Sequence, residues 1–180
     1  MAARAYNPGK MQEAIQFFCD RIRNGTLGRT KLAKLLYFLD FDHFERYGRP
    51  VTGATYVHWQ KGPYPKQMRQ VLLQLREQGL VVESKEQAGP YVQFAYHLAQ
   101  GVAPSIKVFS QTELSTLIDV ADKWEKQTAA EIVAATHGEA PWIATGDNEE
   151  IPYVYAYYRR KFEAASDDEE ERVALLLATE

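Results

Sequence analysis

RTKLAKLLYFLDFDHFERYGRPVTGATYVHWQKGPYP, residues 29–65, is the stretch whose reading decides the fold. Leu32, Leu35, Leu36, Leu39 and His43 recur three or four apart, which places them on one side of a helix. Tyr37, Phe38, Phe41 and Phe44 fill most of the remaining circumference. A helix apolar on nearly every side is enclosed by other elements. This segment, beginning between Thr26 and Thr30, is therefore expected to be the central buried helix of its domain. Gly48 supplies a left-handed residue after Tyr47, and Pro50 blocks continuation. The chain then turns at Thr52-Gly53, runs extended through Tyr56-Val57-His58-Trp59 and breaks at Gly62-Pro63-Tyr64-Pro65.

On the N-terminal side, Asn7-Pro8 reads as a cap followed by proline in the first helical position. Met11, Ile15, Phe18 and Ile22 carry that helix to Asn24-Gly25. Cys19 lies beside this stripe and is expected to be an inert, packed thiol. On the C-terminal side, Met68, Val71, Leu72 and Leu75 line a third helix over about 65–78, closed by Gly79 with Leu80 folding back. Val81-Val82-Glu83 reads as a strand, Gln87-Ala88-Gly89-Pro90 as a turn, and Val92, Phe94, Tyr96 and Leu98 as the apolar side of a second strand. His97 alternates out of that set as an exposed strand residue. A helix followed by such a hairpin has winged-helix character.

Two capping boxes, Ser110 with Glu113 and Thr128 with Glu131, open further helices, the second ending near His137-Gly138. Residues 144–152 read as a polar loop. After Pro152 the residues Ile151, Tyr155, Tyr158 and Phe162 line up as a helix, with a strand through Tyr153, Tyr155 and Tyr157 as the competing reading. Ser166 then precedes five acidic residues and the apolar run VALLLA, a short helical pattern that needs a surface to lie against. The fold class is thus mainly α (α+β). It is a multi-helix domain over 8–163 around one central buried helix, with a small hairpin and a tail over 164–180.

Composition narrows the function. A chain of 180 residues, 46% hydrophobic and 25% charged, suits one soluble globular domain. Folding at this size removes roughly 70% of the chain's surface from water. A net charge of −3 gives no global attraction to nucleic acid or anionic lipid. One cysteine excludes an internal disulfide and a thiolate-rich zinc site. No leader or run of ~20 apolar residues is present, so a cytoplasmic location is expected.

Catalytic signatures are missing. There is no GxxxxGK phosphate loop, GxSxG elbow or HExxH pair. His137-Gly138-Glu139 has the HxE form of a zinc deaminase, but the partner PCxxC is absent. His43, His58 and His137 could form a metal site only by converging from separate elements. His137, at a helix C-terminus, reads better as a dipole-complementing residue and Trp142 as a core anchor. Neither a cofactor nor a metal is expected. Asp40, among apolar residues, needs a hydrogen-bond donor from His43 or a neighbouring element. Asp42 with Arg46 and Glu45 with Arg49 read as a solvated helix edge.

The KLLYF core, the acidic and aromatic second half of the central helix, the YGRPVTG exit and a following Gly-Pro resemble the Panacea, or SocA-like, antitoxin family, a phage-associated group. Residues 110–142, ending in Thr136-His137-Gly138-Glu139-Ala140-Pro141-Trp142, resemble its C-terminal half. This resemblance implies an antitoxin, not an enzyme, that neutralises a toxin encoded beside it through direct binding. It also permits an adaptor that delivers the partner to a protease, with the tail as handle.

Tyr56, His58, Trp59, Tyr64 and Tyr91 fall in extended or turn segments and are aromatic types that dominate protein interfaces. Alternation permits either phase, and Tyr56 and His58 are placed outward here. The alternative reading, a winged-helix DNA-binding regulator acting on its own operator, would use Lys61, Lys66, Arg69 and Arg76, with a second basic spot at Arg159-Arg160-Lys161.

Overall fold

The structure, a computed structural model, describes residues 5–22, 26–88 and 90–159. Helix α2 (Arg29–Tyr47) forms its axis, with every residue from Lys31 to Phe41 buried. Around it pack α1 (Pro8–Arg21), α4 (Gln111–Trp124), α5 (Ala129–His137) and a 3₁₀ helix, Tyr153–Tyr158. Two-residue strands β1 (Tyr56–Val57) and β2 (Tyr64–Pro65) pair antiparallel and lead into α3 (Met68–Glu77). The antiparallel hairpin β3 (Val81–Ala88) and β4 (Tyr91–Leu98) follows, with Val81 opposite Leu98. The four-residue α6 (Ala140–Ile143) follows α5. The protein is mainly α with two small sheets.

Local signals act as the residue chemistry requires. The Asn7 side chain accepts from Lys10 N, and both capping boxes form. Gly48 takes φ 68° and returns its N–H to Phe44 O at 2.8 Å, ending α2 in the left-handed region that glycine tolerates. Cys19 is buried, which pushes its thiol up to about 12. The Asn24-Gly25 stop and the tail over 164–180 lie outside the described residues.

Asp40 is fully buried and receives the Thr52 backbone N–H at 2.6 Å, the Thr52 hydroxyl, the Tyr56 hydroxyl at 2.9 Å and the Tyr153 hydroxyl at 3.2 Å. One carboxylate thus gathers the α2 exit, β1 and the 3₁₀ helix. Burial raises its pKa and these four donors oppose that rise. His43 takes no part; its ring meets Arg49 O at 2.7 Å and the Thr112 hydroxyl at 3.2 Å.

Two expectations are corrected. The segment after Pro152 is neither α-helix nor strand but 3₁₀, so its inward residues, Tyr153 and Ala156, are three apart, while Tyr158 faces solvent. The edge of α2 carrying Asp42 and Glu45 is only partly solvated, and its acids do not pair along the helix. Arg159 crosses it, 2.6 Å from Asp42 and 3.6 Å from Glu45, and also pairs with Glu139. Arg46 turns instead to Asp119 at 3.1 Å.

Candidate partner-binding surface

Residues 57–65 form a loop whose underside is pinned to the core. His58 donates its N–H to Glu149 O and accepts from Asn148 N, extending β1 by a short antiparallel contact between Val57 and Glu150. Lys34, on α2, reaches up from below to donate to Pro63 O at 2.7 Å. Its burial brings the ammonium down to about 7, since the lost hydration disfavours the charged form. Gly62 sits directly above, at φ +86°; a Cβ there would come within 2.5 Å of Thr136 Oγ1. Only glycine permits so close an approach with that backbone.

The side of the loop is held by stacked rings. Trp142 lies between His58, at 4.4 Å, and His137, at 4.0 Å, with interplanar angles of 20° and 16°. His58 also meets the Thr145 hydroxyl at 3.1 Å, and Trp142 donates to Trp59 O at 3.4 Å. Burial, then the Lys34 and His58 charges, lower the His137 pKa, so its ring is held away from the protonated form expected of a dipole-complementing histidine. His137 Nε2 is buried without a partner among the described residues.

The outer face of the same loop is aromatic and cationic. Trp59 is 47% exposed and stacks on Tyr64 at 4.2 Å with an interplanar angle of 10°. Arg29 and Arg69 lie close enough to Tyr64 to oppose the rise that burial gives its hydroxyl pKa. Arg29, Lys61 and Arg69 are exposed, and no ion pair joins them to a carboxylate among the described residues. Stacking spares the two rings the ordering cost that mobile aromatics incur on binding.

The predicted contact residues therefore separate. Tyr56 is 1% exposed and His58 7%, which reverses the outward phase expected for them. The reason is the demand of buried Asp40 for donors: the Tyr56 hydroxyl bonds both that carboxylate and Leu36 O, drawing β1 inward. Trp59 and Tyr64 come together at the surface. The Tyr91 side chain lies outside the described residues. Of the predicted phosphate contacts, Lys66 is paired with Glu150 at 2.7 Å and Arg76 with Glu83 at 2.8 Å, whereas Lys61 and Arg69 remain on the open face. The Arg159 side chain is 8% exposed among its carboxylates, contrary to an exposed basic spot, and Arg160 and Lys161 lie outside the described residues. His43 is held by Arg49 and Thr112 rather than meeting His58 and His137. Among the described residues no group of three His, Cys, Asp or Glu is placed to hold a metal ion, and no helix is long and apolar enough to cross a membrane.

Sequence reasoning missed Lys34, Thr136 and Arg29. Lys34 leaves a trace only as a lysine inside an otherwise apolar helical run.

The fold and this face define a mainly α scaffold that carries a fixed aromatic platform on an anchored loop. The family description Antitoxin SocA-like, Panacea domain, matches residues 32–143, from the first turn of α2 to the end of α6, and the chain belongs to that family. No curated protein and no solved structure matches the chain.

Proposed function

We propose that the protein is the antitoxin of a toxin–antitoxin pair and that it neutralises a co-encoded toxin by direct binding through the Trp59–Tyr64 face. Membership of an antitoxin-like family supports the role. The observation that carries the surface is the stacked, half-exposed Trp59–Tyr64 pair on a loop pinned from beneath by Lys34 and Trp142. Large aromatics held rigid at the surface bind at low entropic cost, and tryptophan and tyrosine are common energetic anchors of interfaces. Binding there covers the toxin's working surface and requires no chemistry from this chain.

The test is co-expression with the product of the neighbouring gene. That product should arrest growth alone, and this chain should restore growth and co-purify with it. Trp59→Ala should weaken the complex at least about tenfold, the loss of a central aromatic anchor. A neighbour that is harmless, or that stays lethal beside this chain, refutes the antitoxin role.

A further inference from the structure

Beside the aromatic platform runs a groove of about 790 Å³ between β4 and α5, reaching the first turn of α2. The apolar part of its lining is Val92 and Phe94 from β4 and Ala129 and Val133 from α5. Val92 and Phe94 are 61% and 50% exposed, although β4 has the alternation of a strand with one covered side. On the same side of that strand Tyr96, two residues beyond Phe94, is buried. The covered side thus gives way to an open one within a single strand.

The near wall is positive. Arg29 and Lys61 line it, and Lys31 sits behind them, donating to Glu125 O at 2.9 Å and Gln127 O at 2.7 Å. Among the described residues the groove's one carboxylate, Glu83, is already paired with Arg76. The first turn of α2 contains no acidic residue, and its cap, Gly28, offers no side-chain acceptor, so the positive end of a 19-residue helix dipole adds to the same field. In a chain whose net charge is −3, Arg29, Lys31 and Lys61 outnumber Glu83 in this lining, with Glu86, which accepts from Thr26, and Glu125 and Glu131, which act on Lys31, flanking it.

We infer that this groove receives an acidic segment of the partner protein bearing aliphatic side chains, its carboxylates against Arg29 and Lys61 and its aliphatic groups on Val92 and Phe94. The inference rests on the partner-binding reading above and deepens it by naming the chemistry of the bound segment. Charge complementarity selects the sign of that segment. The aliphatic part of the lining, Val92, Ala129 and Val133, suits aliphatic side chains; Phe94 is the exposed ring on which a base could stack, and a DNA probe tests that alternative. Lys61 lines both this groove and the recess beside Trp59, so one partner can engage the two surfaces together.

The experiment uses the full chain and fluorescence anisotropy with three labelled probes: a peptide alternating glutamate with valine and leucine, the same peptide with lysine for glutamate, and a short single-stranded DNA. The acidic peptide should bind, and binding should fall by about tenfold or more at high salt and in the Arg29→Glu/Lys61→Glu double variant. Both positions are exposed, and circular dichroism confirms that the variant is folded. Equal binding of the lysine peptide, unchanged binding by the double variant, or no binding at about 1 mM acidic peptide overturns the inference. Tighter binding of the DNA overturns it in favour of a nucleic acid. A double variant that still protects cells from the neighbouring gene product removes the groove from the interface while the antitoxin role stands.

Discussion

Asp40 illustrates how one buried charge fixes the geometry around it. Its oxygens accept from the Thr52 N–H and from the Thr52, Tyr56 and Tyr153 hydroxyls, so Asp40→Ala leaves the buried Thr52 N–H without an acceptor and removes the group that joins the three segments. The substitution should cost about 3 kcal/mol, read as a lower urea midpoint at unchanged slope. Lys34 makes a different prediction. Its folded value of about 7 lies below the 10.5 of an unfolded lysine, so between these values the unfolded chain binds the extra proton. Stability should therefore rise with pH across that window, at up to about 1.4 kcal/mol per unit. Below pH 7 the contribution is constant. Lys34→Met should remove this slope, and the difference between the two stability–pH curves checks it.

Between elements, the Arg159 contacts show why the short 3₁₀ helix is more than a connector. Three carboxylates, from α2 and the α5–α6 junction, converge on one buried guanidinium, and the Tyr37 hydroxyl donates to one of them, Glu139, at 2.6 Å. Burial raises the Glu139 pKa and Arg159 opposes that rise. Arg159→Met should leave these acids facing each other and cost about 3–5 kcal/mol at neutral pH. Burial would then raise the Glu139 pKa with no Arg159 charge to oppose it, so stability should partly return as pH falls through the range where Glu139 protonates. A persistent deficit at pH 5 would show that the ring contacts of Arg159 over Tyr37 and Phe38 matter more than its charge. Gly62→Ala tests the loop docking: strain at positive φ and the contact with Thr136 should cost more than about 1 kcal/mol. The same variant should weaken partner binding by displacing Trp59 and Tyr64.

Across the whole molecule, the separation of roles predicts that surface variants leave folding intact. Trp59→Ala should cost about 1 kcal/mol of stability, the value of one exposed stack, while removing most partner affinity. If thermal midpoint and affinity fell in proportion, the face would be structural and not functional. The enclosed α2, its glycine stop, the caps at Asn7, Ser110 and Thr128 and the α3–hairpin succession were legible in the residue pattern. They depend on neighbours within four or five positions, where side-chain chemistry and backbone preference act directly. The family resemblance was legible for the same reason, since its motifs lie in short contiguous runs over the matched span. The phase of Tyr56 and His58 was not. Two-residue strands alternate equally well either way, and the choice fell to Asp40, sixteen residues before Tyr56, through its need for donors. The carboxylate triad around Arg159, the lysine under Pro63 and the positive groove beside β4 likewise join residues from distant parts of the chain. The sequence by itself determined the longer helices, their caps and the family the chain belongs to; only the tertiary structure decided which charges are buried together and which aromatics are left outside. Local preferences act along the chain, whereas the desolvation of a charge is settled only when distant elements close over it.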